Sequence, residues 1–285
     1  MTGNGARSAA TLVEQLLADL AAESAELDAL VAGLEPAGWR RPTPAPGWSI
    51  ATQVAHLAWT DDLALLSAAR PGDFLAELGR MAGAGAGDGL VDRSAREQAG
   101  DGGEPLLRRW RNGRAALDEA LRRAPTDRKL PWFGPPMSAA SMATARLMET
   151  WAHGQDVADA LGVARTPTAR LRHIARLATR TRDFAFALHA RPLPGSDVRV
   201  ELDAPDGGTW TFGPADAEQR VTGPALDFCL LAVQRVHRAD TALVAVGVDA
   251  DAWLDIVQAF AGPAGGGRPA GSRPGPASGH HRESP

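Results

Sequence analysis

The first 165 residues alternate between long stretches with a helical hydrophobic pattern and shorter polar or proline-rich connections. Within the long stretches apolar residues recur every three or four positions, as they do along one face of an α-helix. Ser49 and Ser138 stand where a helix N-cap is expected. The pattern predicts four long helices, at residues 8–34, 49–69, 104–123 and 137–162.

The connections between these helices favour a particular architecture. The longest, residues 81–103, contains GAGAGDG and GDGG and is predicted to be a flexible connection with a short helical piece near residues 91–98. It lacks the GxxxxGK[ST] pattern and a preceding strand, so no phosphate-binding loop is indicated. Four long helices joined by one long and two moderate connections are typical of a four-helix bundle.

The pattern changes in the last third of the chain, where short runs of alternating apolar and polar residues predict strands. The expected elements are a helix at 167–189, strands at 198–202 and 209–212, and helices at 224–236 and 250–261. From residue 262 onward the chain is rich in Gly, Pro and Ser, as disordered segments are.

The expected fold class is therefore mainly α, with a helical bundle followed by a small α+β domain. The bundle is assigned to residues 8–165, the α+β domain to 166–262, and a disordered tail to 263–285.

Composition narrows the classes of function. No apolar run of about 18 residues or more indicates a membrane span, and the N-terminus lacks the pattern of a secretory signal. The net charge of −4 argues against a general binder of nucleic acid or anionic membranes. Cys229 is the only cysteine and lies in an apolar run, so an internal disulfide framework is impossible and the cytoplasm is the expected compartment.

The fourth predicted helix carries the pair of residues with the clearest chemistry. Glu149 and His153 are four residues apart, so they project from the same side of that helix. His56 lies midway along the second predicted helix, and facing helices of a bundle can build metal sites from inward side chains. Two imidazoles and one carboxylate suit a catalytic zinc site with an open position, or the facial triad of a non-haem iron enzyme. Nickel and manganese also fit this ligand set. An ExxxH pair is common by chance, so on spacing alone an ordinary pair of packed or surface side chains is the simpler interpretation.

Two segments of the sequence resemble a known superfamily. PGWSIATQVAHLA, residues 46–58, and ETWAHGQDV, residues 149–157, are similar to the second-helix and fourth-helix motifs of the DinB-like, mycothiol-dependent maleylpyruvate isomerase superfamily. PWFGPPM, residues 131–137, and DFCLL, residues 227–231, resemble an actinobacterial branch of metal-binding proteins within it.

The resemblance covers about residues 8–262 and carries several implications. It implies an up-down-down-up four-helix bundle, followed by a domain similar to the sterol-carrier-like second domain of the superfamily. It implies that His56, Glu149 and His153 hold a divalent metal, commonly zinc. It also makes mycothiol a possible cofactor, in agreement with an actinobacterial coding bias that leaves Lys129 as the only lysine.

Residues close to the ligands in sequence are candidates for supporting roles. Asp156 could orient an imidazole, although a surface charge or a packing contact suits it about as well. Gln53 and Thr60 could line the open coordination position, although packing contacts are slightly favoured for both. Arg146 could bind a substrate carboxylate, but an ion pair with Glu149 or a surface acid is the expected role. Arg235 is named as a catalytic candidate because an arginine of the second domain helps to bind anionic substrate in the isomerase relatives.

Trp59, Trp132 and Trp151 could form an apolar wall over the metal, or simply belong to the bundle core.

The expected function is a metal-dependent isomerase or thiol transferase that acts on a small molecule, as a monomer or homodimer, without nucleic acid or membrane partners. A thiolate bound to the metal could add to an electrophilic centre. The alternatives are a thiol-independent hydrolase, cyclase or isomerase, an iron-dependent oxygenase, and a non-catalytic metal-binding module.

Overall fold

A computed structural model describes residues 2–83, 89–100 and 102–273 of the chain, without the side chains of residues 2–8 and 83. The chain divides into two compact units, Met1–Ala160 and Leu161–Pro285. The mainly helical fold class predicted from the sequence is confirmed, with a small four-stranded sheet in the second unit. Within the described residues, no helix is both long and apolar enough to cross a membrane.

The first unit contains the four predicted long helices and three shorter ones. Their bounds are α1 Thr2–Val31, α2 Pro36–Trp39, α3 Ile50–Ala69, α4 Pro71–Gly83, α5 Leu90–Ala99, α6 Glu104–Arg123 and α7 Ala139–Leu161. Ser49 is the N-cap of α3, as predicted, and its hydroxyl accepts a hydrogen bond from the backbone N–H of Thr52.

Side-chain pairs show that α1 and α6 are antiparallel. Arg122, near the end of α6, pairs with Glu14 in the first half of α1. Arg111, earlier in α6, pairs at 2.7 Å with Asp28 near the end of α1. The two helices therefore run in opposite directions.

The orientation of α3 completes the bundle topology. Gly102, just before α6, lies against Ala51 at the start of α3, and Arg109 of α6 pairs with Asp62 further along, so these two helices are parallel. Gln53 meets His153 and Asp61 meets Arg146, so α3 and α7 are antiparallel. The bundle is therefore up-down-down-up, with α1, α3, α6 and α7 as its long helices.

The segment between α3 and α6 is more helical than predicted. The helix α4 was not predicted, although Phe74 and the half-buried Leu78 lie on one face of it, four residues apart. The predicted helical piece near residues 91–98 is present as α5. The GAGAGDG stretch falls largely on residues 84–88, which lie outside the described residues.

The second unit has a four-stranded sheet with strand order β2-β1-β3-β4. Its strands are β1 Val198–Asp203, β2 Thr209–Phe212, β3 Gln219–Pro224 and β4 Val244–Val246. β1 and β3 are parallel, whereas the β1–β2 and β3–β4 pairs are antiparallel. The first two strands were predicted; β3 was missed because it contains Gln, Arg, Gly and Pro, and β4 because it has only three residues.

The helices of the second unit are shorter than predicted. They are α8 Leu171–Arg180, α9 Arg182–Leu188, α10 Ala225–Ala232 and α11 Val248–Leu254. The single helix predicted at 167–189 is divided at Thr181. The Thr181 hydroxyl lies 2.8 Å from the carbonyl oxygen of Gln258, its shortest contact, and 3.1 Å from those of Leu177 and Ala178. Cys229 is fully buried in α10, and burial raises the pKa of its thiol, so this side chain is an inert core residue.

The predicted tail at 263–285 lies partly outside the described residues, which end at 273. Residues 263–273 contain no helix or strand. Even so, the backbone N–H of Gly271 donates to Asp240 at 2.9 Å, and Arg273 pairs with Asp227 at 2.8 Å.

Candidate metal centre

The helices α3 and α7 bring three potential metal ligands together. The Nε2 atoms of His56 and His153 lie 3.4 Å and 3.2 Å from the same carboxylate oxygen of Glu149, Oε2. The imidazole ring centres are 4.5 Å apart. One potential ligand atom from each residue lies within 4.8 Å of the other two. Among the described residues, this is the only group of three or more His, Cys, Asp or Glu side chains with such spacing.

Gln53 fixes the orientation and tautomer of the His153 ring. Its Oε1 atom contacts His153 Nδ1, and its Nε2 atom donates to Thr43 Oγ1 at 2.9 Å and to Asp156 Oδ2 at 3.4 Å. Because the amide nitrogen faces two oxygen acceptors, the amide oxygen must face the imidazole, which therefore carries its proton on Nδ1. His153 Nε2 is then the ring nitrogen that faces Glu149 Oε2 and the centre of the site.

The His56 ring is enclosed mainly by aromatic side chains. Trp48 lies 5.5 Å and Trp59 6.2 Å from it, measured between ring centres. Its Nδ1 atom is buried without a hydrogen-bond partner, so Nε2 is the nitrogen that meets the other two ligand side chains. Such an enclosed imidazole has little access to water except through Nε2.

The loop before α3 places Trp48 over the site. Thr43 donates its backbone N–H to the carbonyl oxygen of Trp48 at 2.8 Å, and the Trp48 ring stacks on His153 with ring centres 5.8 Å apart. The indole N–H of Trp48 donates to Asp92 of α5 at 3.0 Å. The sequence analysis did not identify three residues of this arrangement, namely Thr43, Trp48 and Asp92. The only sequence signal among them was the position of Trp48, directly before the Ser49 N-cap and therefore close to the potential ligands.

Glu149 is held in its ionised form. Burial by itself would raise the pKa of Glu149, but hydrogen bonds and charge interactions with His153 and His56 lower it well below its usual range. The side chain is 25% exposed, whereas those of His56 and His153 are 9% and 11% exposed. The site therefore presents an anionic oxygen and two imidazole nitrogens, and is most accessible to solvent at the carboxylate.

Arg146 and Asp61 form a buried ion pair one layer further along the same two helices. The guanidinium Nε donates to Asp61 Oδ1 at 2.8 Å, and both side chains are almost completely buried. Burial raises the pKa of Asp61 even though Arg146 opposes the shift. The expected ion pair was with Glu149 or a surface acid; the partner of Arg146 is instead the buried carboxylate of Asp61 on α3.

The other predicted residues occupy different positions. Asp156 accepts a hydrogen bond from Gln53 Nε2 at 3.4 Å. Thr60 donates its hydroxyl to the carbonyl oxygens of His56 and Leu57, at 2.8 Å and 3.2 Å. Arg235 belongs to the second unit, where it donates to the carbonyl oxygen of Val233 at 2.7 Å. The roles of these three residues stay predictions.

Comparison with protein-family models gives one match in each unit. A family described as "Mycothiol maleylpyruvate isomerase N-terminal domain" matches residues 20–158, which include all three potential ligands. A family described as "Wyosine base formation" matches residues 194–246, which include the four strands. The second description differs from the sterol-carrier-like domain that the resemblance implied.

Comparison with curated sequences identifies two relatives, both from Mycobacterium tuberculosis. Uncharacterized protein Rv0036c of strain H37Rv is 56% identical over 252 residues, which cover 88% of this chain and 97% of the relative. Uncharacterized protein MT0041 of strain CDC 1551 matches with the same identity and coverage.

Comparison with solved structures supports the fold. The crystal structure of the mycothiol-dependent maleylpyruvate isomerase matches with a TM-score of 0.55 and 16% sequence identity, over 82% of this chain and 92% of that chain. A histidine-to-alanine mutant of the same enzyme matches equally well.

Proposed function

The chain belongs to the mycothiol-dependent maleylpyruvate isomerase superfamily, and from this premise we propose that it is a divalent-metal-dependent enzyme acting on a small molecule. The observation that carries the proposal is the convergence of His56, Glu149 and His153, whose potential ligand atoms lie within 4.8 Å of one another. The reaction class proposed is isomerisation or thiol transfer.

The donor set fits a divalent metal of the zinc type. Two neutral imidazoles and one ionised carboxylate are the ligands of many catalytic zinc sites, in which a further position stays open for water or substrate. Gln53 takes up the Nδ1 side of His153 and leaves Nε2 for a metal, and the lowered pKa of Glu149 favours the ionised carboxylate that a metal binds. Zinc is therefore the metal we propose, and iron, nickel and manganese are compatible with the same donors.

A bound divalent cation would supply positive charge that stabilises a thiolate or a developing oxyanion at neutral pH. The residues around it have separate tasks. Gln53 holds the His153 ring in one orientation, and Trp48 stacks on the face of His153 and lies tilted against His56. Glu149 is the most exposed of the three side chains, so we propose that the small molecules enter the site from its side.

Mycothiol is the thiol we propose as cofactor. Support comes from the N-terminal family match and from the matching crystal structure, both of which are described by mycothiol and maleylpyruvate isomerase. The second unit is proposed to have an accessory role, because among the described residues the only group of three potential ligands lies in the first unit.

Elemental analysis of the purified full-length protein tests the proposal. We expect one zinc per chain, and expect His56→Ala and His153→Ala each to lose most of it. His189→Ala is the matched control, because His189 is a half-buried histidine of the second unit. A wild-type protein without stoichiometric metal contradicts the central claim.

Calorimetry with mycothiol then tests whether this thiol binds at the metal. We expect binding to the zinc-loaded protein and little or none after the metal is removed with a chelator. Binding that is equally strong without metal would contradict a metal-bound thiol, and zinc binding without mycothiol binding would favour the thiol-independent reactions.

A further inference from the structure

A cavity in the second unit shares no residue with the proposed metal site. Its volume is about 440 Å³, which lies within the range of sites that hold small organic molecules. It forms where the ends of α10 and α11 meet a short 3₁₀ helix, Arg238–Asp240, and the segment 265–268. All of its lining residues belong to Leu161–Pro285.

The buried side chains that line the cavity are all apolar. They belong to α10, to α11 and to the residues that follow each helix, and they are Leu231, Val236, Leu254, Ile256 and Val257. Such a surface favours the apolar body of a ligand, because the contact removes hydrocarbon from water. The polar side chains of the lining are instead exposed or half-buried, so they lie nearer to solvent.

His237 lines the cavity and offers a hydrogen-bond donor. Its Nδ1 atom accepts a hydrogen bond from the backbone N–H of Ala239 at 3.1 Å. A ring nitrogen that accepts a hydrogen bond carries no proton, so the proton of this imidazole is on Nε2. The Nε2–H group is therefore the donor that His237 can offer to a ligand.

The charged side chains around the cavity favour an anion. Two arginines line it, Arg238 and Arg268, whereas Asp255 is the only carboxylate among the described lining residues. Arg238 donates to Asp255 Oδ1 at 2.6 Å and also pairs with Asp251, which lies outside the lining. The Asp255 carboxylate is thus already bound by a cation, while Arg268 adds a second guanidinium to the lining.

A network of side-chain amides fixes the segment that completes the cavity. Gln234 has φ +60°, in the left-handed region that usually favours glycine. Its Nε2 atom donates to Gln258 Oε1 at 3.3 Å, and Gln258 Nε2 donates to the carbonyl oxygens of Phe260 and Gly262 at 3.0 Å and 3.1 Å. These bonds hold the chain just before it reaches the cavity at residue 265, so the cavity has a defined wall there.

We propose that this cavity is a second ligand site, which binds a small organic acid. The apolar body of the acid packs on the buried aliphatic side chains, and its anionic group accepts hydrogen bonds from His237 Nε2 and from Arg268. A neutral molecule of the same shape lacks the charge that strengthens such bonds, and a cation would meet two arginines. The proposal is independent of the metal site, because none of the cavity residues is a potential ligand there.

A matched pair of probes tests the proposal on the full-length protein. The probes are 2-naphthoate and the neutral 2-naphthamide, which have almost the same shape, and their binding is measured by calorimetry. Naphthoate is expected to bind at least about tenfold more tightly, since hydrogen bonds to a charged group are the stronger ones. Because a carboxylate could also bind at a metal, the place of binding is determined separately by nuclear magnetic resonance. The ring signals of His237 are expected to shift when naphthoate binds, and they are identified by their loss in His237→Asn.

Two variants remove the proposed donors. Arg268→Gln and His237→Asn are each expected to weaken naphthoate binding by about tenfold and to change naphthamide binding much less. Asparagine at position 237 keeps an oxygen that can accept the N–H of Ala239, so the 3₁₀ helix retains its cap. Arg176→Gln is the control and is expected to bind naphthoate as the wild type does, since Arg176 is an exposed arginine of α8 that does not line the cavity.

Several outcomes would overturn the proposal. Wild-type protein that binds no naphthoate, or that binds both probes equally well, contradicts a site for organic acids. Naphthoate that binds without shifting the His237 signals, or that binds both donor variants as tightly as wild type, is bound elsewhere and also contradicts it. None of these outcomes depends on whether the protein contains zinc, so the proposed function is tested separately.

Discussion

At the scale of single residues, Gln53 has the most consequential contacts outside the three ligands. It is completely buried, and its amide bonds to His153 on one side and to Thr43 and Asp156 on the other. A partner that fixes the ring orientation of a ligating histidine typically changes metal affinity by about 10-fold to 100-fold when it is removed. Gln53 therefore offers a direct test of how the site is held.

We predict that Gln53→Leu lowers zinc affinity by about 10-fold or more, because the His153 ring loses the acceptor of its Nδ1 proton. Gln53→Glu keeps an acceptor and is expected to retain zinc. Affinity is measured by competition with a chelator. Gln155→Leu is the control, since Gln155 lies on α7 close to His153 but bonds to Asp159 instead. Equal zinc affinity in wild type and Gln53→Leu would show that the ring is fixed by other contacts.

At the scale of elements, Asp28 connects α1 to α6. Arg111 bonds to both carboxylate oxygens of Asp28, at 2.7 Å and 2.8 Å, and Arg114 bonds to one of them at 2.7 Å. The hydrogen bond from Arg111 is the main cause of a lowered pKa of Asp28, which burial opposes and Arg114 reinforces. The ionised carboxylate is thus favoured in the folded protein.

This lowered pKa predicts a pH dependence of stability. Because the pKa of Asp28 is lower in the folded than in the unfolded protein, its contribution is fully present above the unfolded value of about 3.9 and is lost as the pH falls through the folded value. We predict that Asp28→Asn lowers the urea midpoint at pH 7, and that the difference from wild type narrows below about pH 4. Glu104→Gln, which removes an exposed pair with Arg108, is expected to change the midpoint little. A difference that stays constant down to pH 3 would contradict this assignment.

The turn that leads into α6 depends on a glycine. Gly102 has φ +74°, and a Cβ atom there would lie 2.9 Å from Trp39 and 3.1 Å from Ala51. Gly79, in contrast, lies within α4 and has no atom within 4 Å of the corresponding position. The two glycines therefore differ in both backbone conformation and surroundings.

We predict opposite effects of alanine at these two positions. Gly102→Ala should lower the free energy of unfolding by about 1–2 kcal/mol or more, since an L residue is strained at positive φ and the new methyl group meets Trp39. Gly79→Ala should raise it by about 0.5–1 kcal/mol, because alanine is the better helix former. Urea titrations measure both, and a neutral Gly102→Ala would show that the turn can adjust.

At the scale of the whole molecule, the site belongs to one unit. All seven residues of the site fall within Met1–Ala160: the three potential ligands, Gln53, Thr43, Trp48 and Asp92. The predicted domain boundary at residue 165 lies close to the division after Ala160. That the bundle is an independent domain stays a prediction.

We predict that a fragment of residues 1–165 binds zinc with an affinity similar to that of the full chain, because every described contact around the ligands is retained. Circular dichroism establishes that the fragment is folded before zinc is titrated. A fragment of residues 166–285 is the control and is expected to bind none. A folded bundle that binds no zinc, beside a full chain that does, would mean that the second unit is needed to complete the site.

The sequence by itself determined the long helices and singled out His56, Glu149 and His153 as potential ligands. Both depend on local patterns: apolar residues three or four apart define a helix face, Ser49 caps α3, and residues four apart place Glu149 and His153 side by side. Short elements without such a pattern were missed. In β4 the alternate residues Val244 and Val246 are both exposed, so this strand has no buried face to mark it.

Only the tertiary structure decided which distant residues meet. His56 and Glu149 are 93 positions apart, and their contact depends on the antiparallel packing of α3 against α7. The same packing pairs Asp61 with Arg146, and the loop before α3 brings Trp48 onto His153. Such contacts follow from how helices pack in three dimensions, which the local spacing of residues along the chain does not specify.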